Sequence, residues 1–283
     1  MLTKKLIQRV ENLFSEKVIT TKQLLGGDIN DVYCLETNTR KAVIKINTSF
    51  RFPGMFKAEA QGLEVLRKAD AFTVPKVLQS GIHDEYAFLI LEYIASERDA
   101  ANLWNVFGRQ LAVLHSRSAS YFGFENDNYI GSLPQYNTKQ DTASEFYIVQ
   151  RLEPQFKLAI ANGFVFENLD SFYKTIAKEI PNEPSSLIHG DLWNGNFIID
   201  CKGNPCLIDP AISYAPREMD IAMMHLFGGF DQELFKVYNE TFPLTEYWEE
   251  RIPLWQLYYL LVHLNLFGSS YYNQVTSIFN HYK

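Results

Sequence analysis

Two neighbouring stretches hold the residue types that a phosphoryl transfer needs: His189-Gly190-Asp191-Leu192-Trp193-Asn194-Gly195-Asn196 and, eighteen positions beyond Asp191, Leu207-Ile208-Asp209. A carboxylate within reach of a hydroxyl can take its proton as the oxygen attacks. An amide oxygen and a second carboxylate are hard donors of the kind magnesium selects. The order His189, Asp191, Asn196, then a later Asp, is that of a phosphoryl-transfer catalytic loop. It assigns Asp191 as the proton acceptor and Asn196 and Asp209 as metal ligands. Taken singly, each residue also fits a polar turn between two strands, with Gly190, Asn194 and Gly195 shaping the turn. The full set in order, with apolar runs on both sides, favours the chemical reading.

Such a loop needs a second element to hold the phosphates, and the upstream half of the chain contains candidates. Lys45 sits inside Ala42-Val43-Ile44-Lys45-Ile46, where a charge is costly without a partner. Residues 55–66 carry apolar side chains at helical spacing (Phe56, Ala60, Leu63, Leu66), and Glu59 among them is the expected partner. Such a Lys–Glu pair orients α- and β-phosphates; a Lys at a strand edge with its head in water is the alternative. Gly26-Gly27 lies between two β-rich runs, 18–25 and 32–37, so the tip of a hairpin either covers phosphates with backbone N–H groups or is a plain turn. Strands are also expected at 41–47, 74–78 and 87–94, for a sheet of about five strands with one main helix. Beyond Tyr93 the pattern turns helical, over 102–116, 143–162, 166–179, 219–227, 231–241 and 249–267. The expected division is a nucleotide-binding lobe at 1–93, a hinge at 94–97 and a catalytic and substrate-binding lobe at 98–283. Backbone groups at Glu92, Tyr93 and Ile94 are placed to meet an adenine.

Composition bounds the remaining classes. With 283 residues, 47% of them hydrophobic, the chain can build a sizeable core. A formal charge of −7 argues against nucleic acid as a partner, which would want a basic face. The start of the chain is amphipathic (Leu6, Val10, Leu13, Phe14) and lacks the continuous apolar run of a secretory signal. The richest apolar run, 254–272, is broken by Gln256, His263, Asn265 and Gly268, which suits a buried helix rather than a bilayer span. Three cysteines without paired spacing give neither a disulfide framework nor a zinc site. A cytoplasmic enzyme with no membrane partner is expected.

The chain resembles the fructosamine kinase (ketosamine-3-kinase) family, a branch of the protein-kinase-like superfamily near the aminoglycoside phosphotransferases and choline kinases. The resemblance runs through Leu25-Gly26-Gly27-Asp28-Ile29-Asn30, Met55-Phe56-Lys57-Ala58-Glu59-Ala60, Phe88-Leu89-Ile90-Leu91-Glu92-Tyr93, Tyr129-Ile130-Gly131 with Gln135 and Asn137, the His189 to Asn196 loop, and Asp209-Pro210-Ala211. It continues through Arg217-Glu218-Met219-Asp220, Phe227-Gly228-Gly229-Phe230 and His263-Leu264-Asn265-Leu266-Phe267-Gly268. The loop tryptophan, Asp-Pro-Ala in place of Asp-Phe-Gly, and Phe-Gly-Gly-Phe separate this family from its neighbours.

The resemblance implies an α+β, bilobal protein-kinase-like fold, with a small N-terminal β-sheet lobe and a larger, mainly helical C-terminal lobe. It implies an ATP- and Mg2+-dependent kinase acting on the 3-hydroxyl of ketosamines (ribulosamine, erythrulosamine or fructosamine adducts of lysine or other amines, small or protein-bound), which leads to deglycation. By the same resemblance Asp191 is the catalytic base, Asn196 and Asp209 bind metal, and Gly26, Gly27, Lys45 and Glu59 serve the nucleotide. Asp220 braces the catalytic loop. Trp193 lines the sugar pocket or packs in the core, and His263, like Asn265, faces the substrate or satisfies its neighbour within the helices. Two departures stand out: Asp28 follows the glycines where many relatives have cysteine, and Asp141-Thr142-Ala143-Ser144 lacks a tryptophan usual nearby. The competing readings are an aminoglycoside- or choline-type kinase and a catalytically dead nucleotide-binding module. The latter would be expected to have lost the base or a metal ligand.

Overall fold

The computed structural model describes residues 2–24, 29–97 and 100–283. The chain divides into two compact units, Met1–Ala100 with Ile198–Asp209, and Ala101–Phe197 with Pro210–Lys283.

The first unit opens with helix α1 (Lys4–Phe14), capped by Thr3, whose hydroxyl accepts from the Leu6 amide at 3.3 Å. Strands β1 (Thr20–Gln23), β2 (Asp31–Glu36) and β3 (Lys41–Thr48) follow, then helix α2 (Met55–Ala69) and strands β4 (Val77–His83) and β5 (Tyr86–Glu92). They form an antiparallel sheet in the order β1-β2-β3-β5-β4. Side chains alternate across it. Ala42, Ile44 and Ile46 of β3 join Phe88 and Ile90 of β5 against Leu6 and Val10, so α1 covers one face. Lys45 and Asn47 point to the other face, where the Asn47 amide donates to Met55 Sδ of α2 at 3.3 Å. The strand expected at 74–78 begins later, at Val77, and runs to His83. Pro75 has no N–H to give, and the exposed edge residues 80–82 lack the apolar pattern that reveals a strand.

The second unit contains helix α3 (Leu103–His115), the hairpin β7 (Asn128–Ile130) and β8 (Leu133–Gln135), the short turn α4 (Ala143–Glu145), and helices α5 (Glu153–Ala161) and α6 (Leu169–Glu179). Strand β9 (Ser186–Ile188) pairs with β12 (Ser213–Ala215). Helices α7 (Glu218–Phe227), α8 (Gln232–Thr241), α9 (Trp248–Phe267) and α10 (Tyr272–His281) complete it. The middle of α9 is buried from Trp255 to Val262 apart from Gln256. No helix among the described residues is long and apolar enough to cross a membrane.

The helix expected over 143–162 is interrupted between α4 and α5 by a π-helical segment, Phe146–Leu152. Pro154 removes the N–H that would bond the Gln150 carbonyl in an α-helix, and the Arg151 guanidinium donates to that carbonyl at 3.2 Å instead. Residues 198–209 return to the first unit. There β6 (Ser96–Glu97), within the expected hinge, pairs with β10 (Phe197–Asp200), which pairs in turn with β11 (Pro205–Leu207). The Leu207 amide donates to the Thr73 carbonyl at 3.0 Å, and Thr73 Oγ1 donates to Asp200 at 3.3 Å. The sequence reading placed this stretch with the C-terminal lobe.

Within the second unit, α7 and α9 are tied by one buried charge group. Glu218 accepts from Arg251 at 2.6 and 2.9 Å and from the Trp255 indole N–H at 2.7 Å, and Glu218 and Arg251 are both buried. Removing one partner of a buried ion pair costs roughly 3–5 kcal/mol, because the other charge stays in a poorly polarisable site. Glu218→Gln should therefore lower the melting temperature by about 5 °C or more, measured by calorimetry, whereas Glu233→Gln, at an exposed position in the first turn of α8, should leave it near that of the wild type.

Candidate active site

The loop that follows β9 is shaped by backbone bonds before any side chain enters. Asp220, fully buried at the start of α7, accepts from the His189 amide at 2.7 Å and from the Gly190 amide at 2.8 Å. This is the bracing role expected for it. Gly190 has φ +83°, and a Cβ there would lie 2.1 Å from the Ala211 carbonyl oxygen, so only glycine fits. The Ala211 amide in turn donates to the His189 carbonyl at 2.9 Å.

These bonds carry the chain to Asp191, which is half-buried. The Asn196 amide nitrogen donates to the Asp191 carbonyl at 2.8 Å and to its carboxylate Oδ2 at 3.1 Å. The amide is thereby oriented, with its carbonyl oxygen as the free end of the group. Trp193 is 39% exposed, with its indole folded back over Gly195, where a Cβ would stand 2.3 Å from the ring. Of the two roles considered for Trp193, core packing does not describe that position. Phe197, just after the loop, is packed edge-on to Phe107 at 5.2 Å and against Phe230 of the Phe227-Gly228-Gly229-Phe230 segment at 5.6 Å between ring centroids.

In the first unit Lys45 has two partners. Its ammonium donates to Glu59 at 2.8 Å, as the helical spacing suggested, and to Asp209 at 2.9 Å. Burial by itself would push the ammonium below its ordinary value, but the Asp209 and Glu59 carboxylates outweigh that and hold it above. Glu59 is pushed up, by burial first and by the Asp209 charge, more than Lys45 pulls it down. The 2.8 and 2.9 Å contacts keep the lysine charged, while burial and the neighbouring acid work against the charge on Glu59. Asp209 occupies the left-handed region at φ +55°, an uncommon conformation outside glycine, and its side chain remains 44% exposed.

The other expected site residues fall as follows. The Glu92 amide is given to the Lys76 carbonyl at 2.9 Å, and its carboxylate accepts from the Lys76 amide at 3.3 Å. Tyr93 lies under the Lys41 ammonium, 5.7 Å from ring centre, and Ile94 is half-buried. Gly26 and Gly27 lie outside the described residues. His263 is bonded through Nδ1 to the Tyr259 carbonyl at 2.7 Å and sits among Phe227, Phe267 and Tyr271 with centroids at 4.9–5.5 Å. Burial lowers its pKa, so Nδ1 donates and Nε2 is left as an acceptor. Asn265 does not pair with His263. It donates to Gln155 at 2.9 and 3.0 Å, tying α9 to α5.

Sequence reasoning missed the support behind Asp220. His115 Nε2 lies 3.2 Å from the Asp220 carboxylate and its Nδ1 lies 2.9 Å from the Tyr238 hydroxyl, all buried. Since a carboxylate only accepts, Nε2 carries the proton and Tyr238 donates to Nδ1. The one signal in the sequence was a histidine closing an otherwise apolar helical run.

Two pH effects follow from these groups. Burial, with Arg217 nearby, holds His115 below its ordinary value and Asp220 offsets this only in part. A depressed folded-state pKa gives stability that is present above the unfolded value of about 6.5 and is lost as pH falls through the folded value. His115→Gln, which can still donate to Asp220, should flatten the fall in melting temperature between pH 7 and pH 5. In Lys45→Met the buried Glu59 loses its counter-charge, so its pKa rises further and the stability it contributes is lost as pH rises. The melting-temperature deficit of Lys45→Met should be larger at pH 8 than at pH 5.5, read by thermal melts across that range.

The fructosamine kinase family model matches residues 2–283. A probable ketoamine kinase of Enterococcus faecium is 38% identical over 270 residues, covering 92% of this chain and 94% of that protein. Another, from Vibrio parahaemolyticus, is 37% identical over 280 residues and 96% of each chain. Among solved structures, a protein assigned to the fructosamine-3-kinases from Thermobifida fusca superposes with a TM-score of 0.87 at 31% identity, over 99% of this chain and 98% of its own. Spectinomycin phosphotransferase, solved with ADP and spectinomycin, aligns with a TM-score of 0.65 at 13% identity over 100% of this chain and 94% of its own, a likeness of fold alone. The fold is thus the kinase-like α+β type that the resemblance implied. The end-to-end family match and the curated relatives lead to one assignment: the chain belongs to the fructosamine kinase family.

Proposed function

We propose that this protein transfers the γ-phosphoryl group of ATP to the 3-hydroxyl of a ketosamine, the ketone adduct that a sugar leaves on lysine or another amine. The observation that carries the reading is that a chain matched from residue 2 to 283 by the fructosamine kinase model retains Lys45, Asp191, Asn196 and Asp209 together.

Asp191 accepts the proton of the attacking hydroxyl, and the Asn196 amide on its Oδ2 keeps the carboxylate turned for that task. Lys45, held charged and steered by Glu59, is the group for the α- and β-phosphates. With the Glu92 amide already given to Lys76, the adenine contact is proposed for the backbone of Tyr93 and Ile94. Gly26 and Gly27 are proposed to lie over the nucleotide, and Trp193 and His263 to line the acceptor pocket.

The donor chemistry suits Mg2+. Among the described residues no three His, Cys, Asp or Glu side chains gather into a metal cage. A magnesium ion held by one or two protein oxygens plus substrate phosphates does not need one. Asn196 has its nitrogen turned to Asp191 and so offers an amide oxygen, and Asp209 is an exposed carboxylate. An ion held by such oxygens would neutralise phosphate charge.

The product explains what the reaction accomplishes. Phosphate on C3 stands beside the C2 carbonyl. Enolisation towards the amine-bearing C1 lets the C3–O bond break with loss of inorganic phosphate, and hydrolysis of the resulting imine frees the amine. Purified protein with MgATP and ribulosamine- or fructosamine-modified lysine should give, by mass spectrometry, a transient gain of one phosphoryl group, then free lysine and inorganic phosphate. Asp191→Asn should lower turnover by roughly 10²–10⁴-fold while retaining MgATP binding. If no ketosamine gains a phosphoryl group while an aminoglycoside or choline does, the acceptor assignment is wrong.

A further inference from the structure

The motif Tyr129-Ile130-Gly131 with Gln135 and Asn137 has no part in the chemistry described so far. We propose that Gln135 and Asn128 of the β7–β8 hairpin, locked by Arg151 and Tyr258, are positioning residues that hold the backbone of residues 211–213 and through it fix where Asp191 stands. The proposal rests on the reading of Asp191 as the base.

The catalytic loop takes its position from the segment 211–213. β12 is paired residue by residue with β9, Ser213 opposite Ile188 and Ala215 opposite Ser186. Ala211 bonds the His189 carbonyl and presses on Gly190 so closely that no Cβ fits. A shift of Ala211 therefore moves residues 189–190, and Asp191 is the next residue.

On its other side that segment is gripped at three consecutive residues. Gln135 Nε2 donates to the Ala211 carbonyl at 3.0 Å, Asn128 Nδ2 to the Ile212 carbonyl at 2.8 Å, and the Arg151 guanidinium to Ser213 Oγ at 3.1 Å. The donors are themselves cross-tied. Gln135 Nε2 also donates to Asn128 Oδ1 at 2.7 Å, Arg151 to Asn137 Oδ1 at 2.8 Å, and the Tyr258 hydroxyl to Gln135 Oε1 at 2.7 Å. All of these side chains are buried, Arg151 to 1% and Gln135 to 2% exposure.

A core built only for stability would do as well or better with apolar residues here. What apolar residues do not supply is direction. A hydrogen bond fixes a carbonyl in distance and angle, and a fully satisfied buried network has one arrangement. A misplacement of 1 Å at a reacting group is enough for about a 100-fold loss of rate. The π-helical segment belongs to the same device, since the chain around Pro154 leaves the Gln150 carbonyl to Arg151 and helps turn that guanidinium towards Ser213.

The test uses Gln135→Met and Tyr258→Phe, the second removing only a hydroxyl. With MgATP and ribulosamine-modified lysine, each should lower kcat about 10- to 100-fold with KM for both substrates within about twofold. In an Asp191→Asn background the same changes should cost nothing further, because they act through that side chain. Multiplying losses in that background, or a loss confined to KM, would make the network merely structural and overturn the proposal. Amide exchange supplies a readout that needs no acceptor. In Gln135→Met the Ala211 amide should exchange at least tenfold faster relative to the core of α9, and an unchanged ratio overturns the proposal as well. If the wild type phosphorylates no ketosamine, the substrate reading fails on its own. The kinetic comparison then passes to whichever acceptor is turned over, and the exchange arm still decides.

Discussion

The second unit depends on a single carboxylate accepting two neighbouring backbone amides. Asp220 takes the N–H groups of His189 and Gly190, and with them the direction in which the chain leaves β9. At such depth each amide left without a partner would cost about 1–3 kcal/mol, so the loop has little freedom to take another path. His115 and Tyr238 hold the acceptor in turn, with the tautomer dictated by the carboxylate. Asp191, the proposed base, thus follows a chain of buried polar contacts that begins in α8, passes through α3 and α7, and reaches the loop.

The first unit solves a different problem. Lys45 brings a full charge into the interior of a sheet, and two carboxylates compensate it, one from the helix beside it and one from far along the chain. Two acids on one base is more negative charge than the ammonium requires. Burial first, and then that excess, pushes Glu59 upward despite its partner.

Much of this was legible in the residues. A lysine within Ala42-Val43-Ile44-Lys45-Ile46 demanded a partner, and the spacing of Phe56, Ala60, Leu63 and Leu66 put Glu59 on a helix able to supply it. Asp209 as the second partner left no local trace, because a contact across 164 positions has no periodicity to read. The helix α10 escaped notice since only Val275 and Phe279 are buried along its ten residues, too few for an apolar stripe. The π-helical segment was invisible to apolar spacing, although Pro154 was its signal in plain view. The edge strand β4 was placed too early because apolar content was mistaken for pairing.

Residues 198–209 belong with the first hundred residues, and this has a consequence for how the molecule comes into being. During synthesis the chain emerges from its N-terminus, and a unit that is contiguous in sequence can fold as soon as it is out. Here β6 must wait for β10, and Lys45 for Asp209, until roughly another hundred residues have been added, on the order of ten seconds of elongation. Through that interval Glu59 alone answers the charge on Lys45. The first unit cannot be released as a finished module by cutting the chain near residue 100, and the order of folding is coupled to the order of translation.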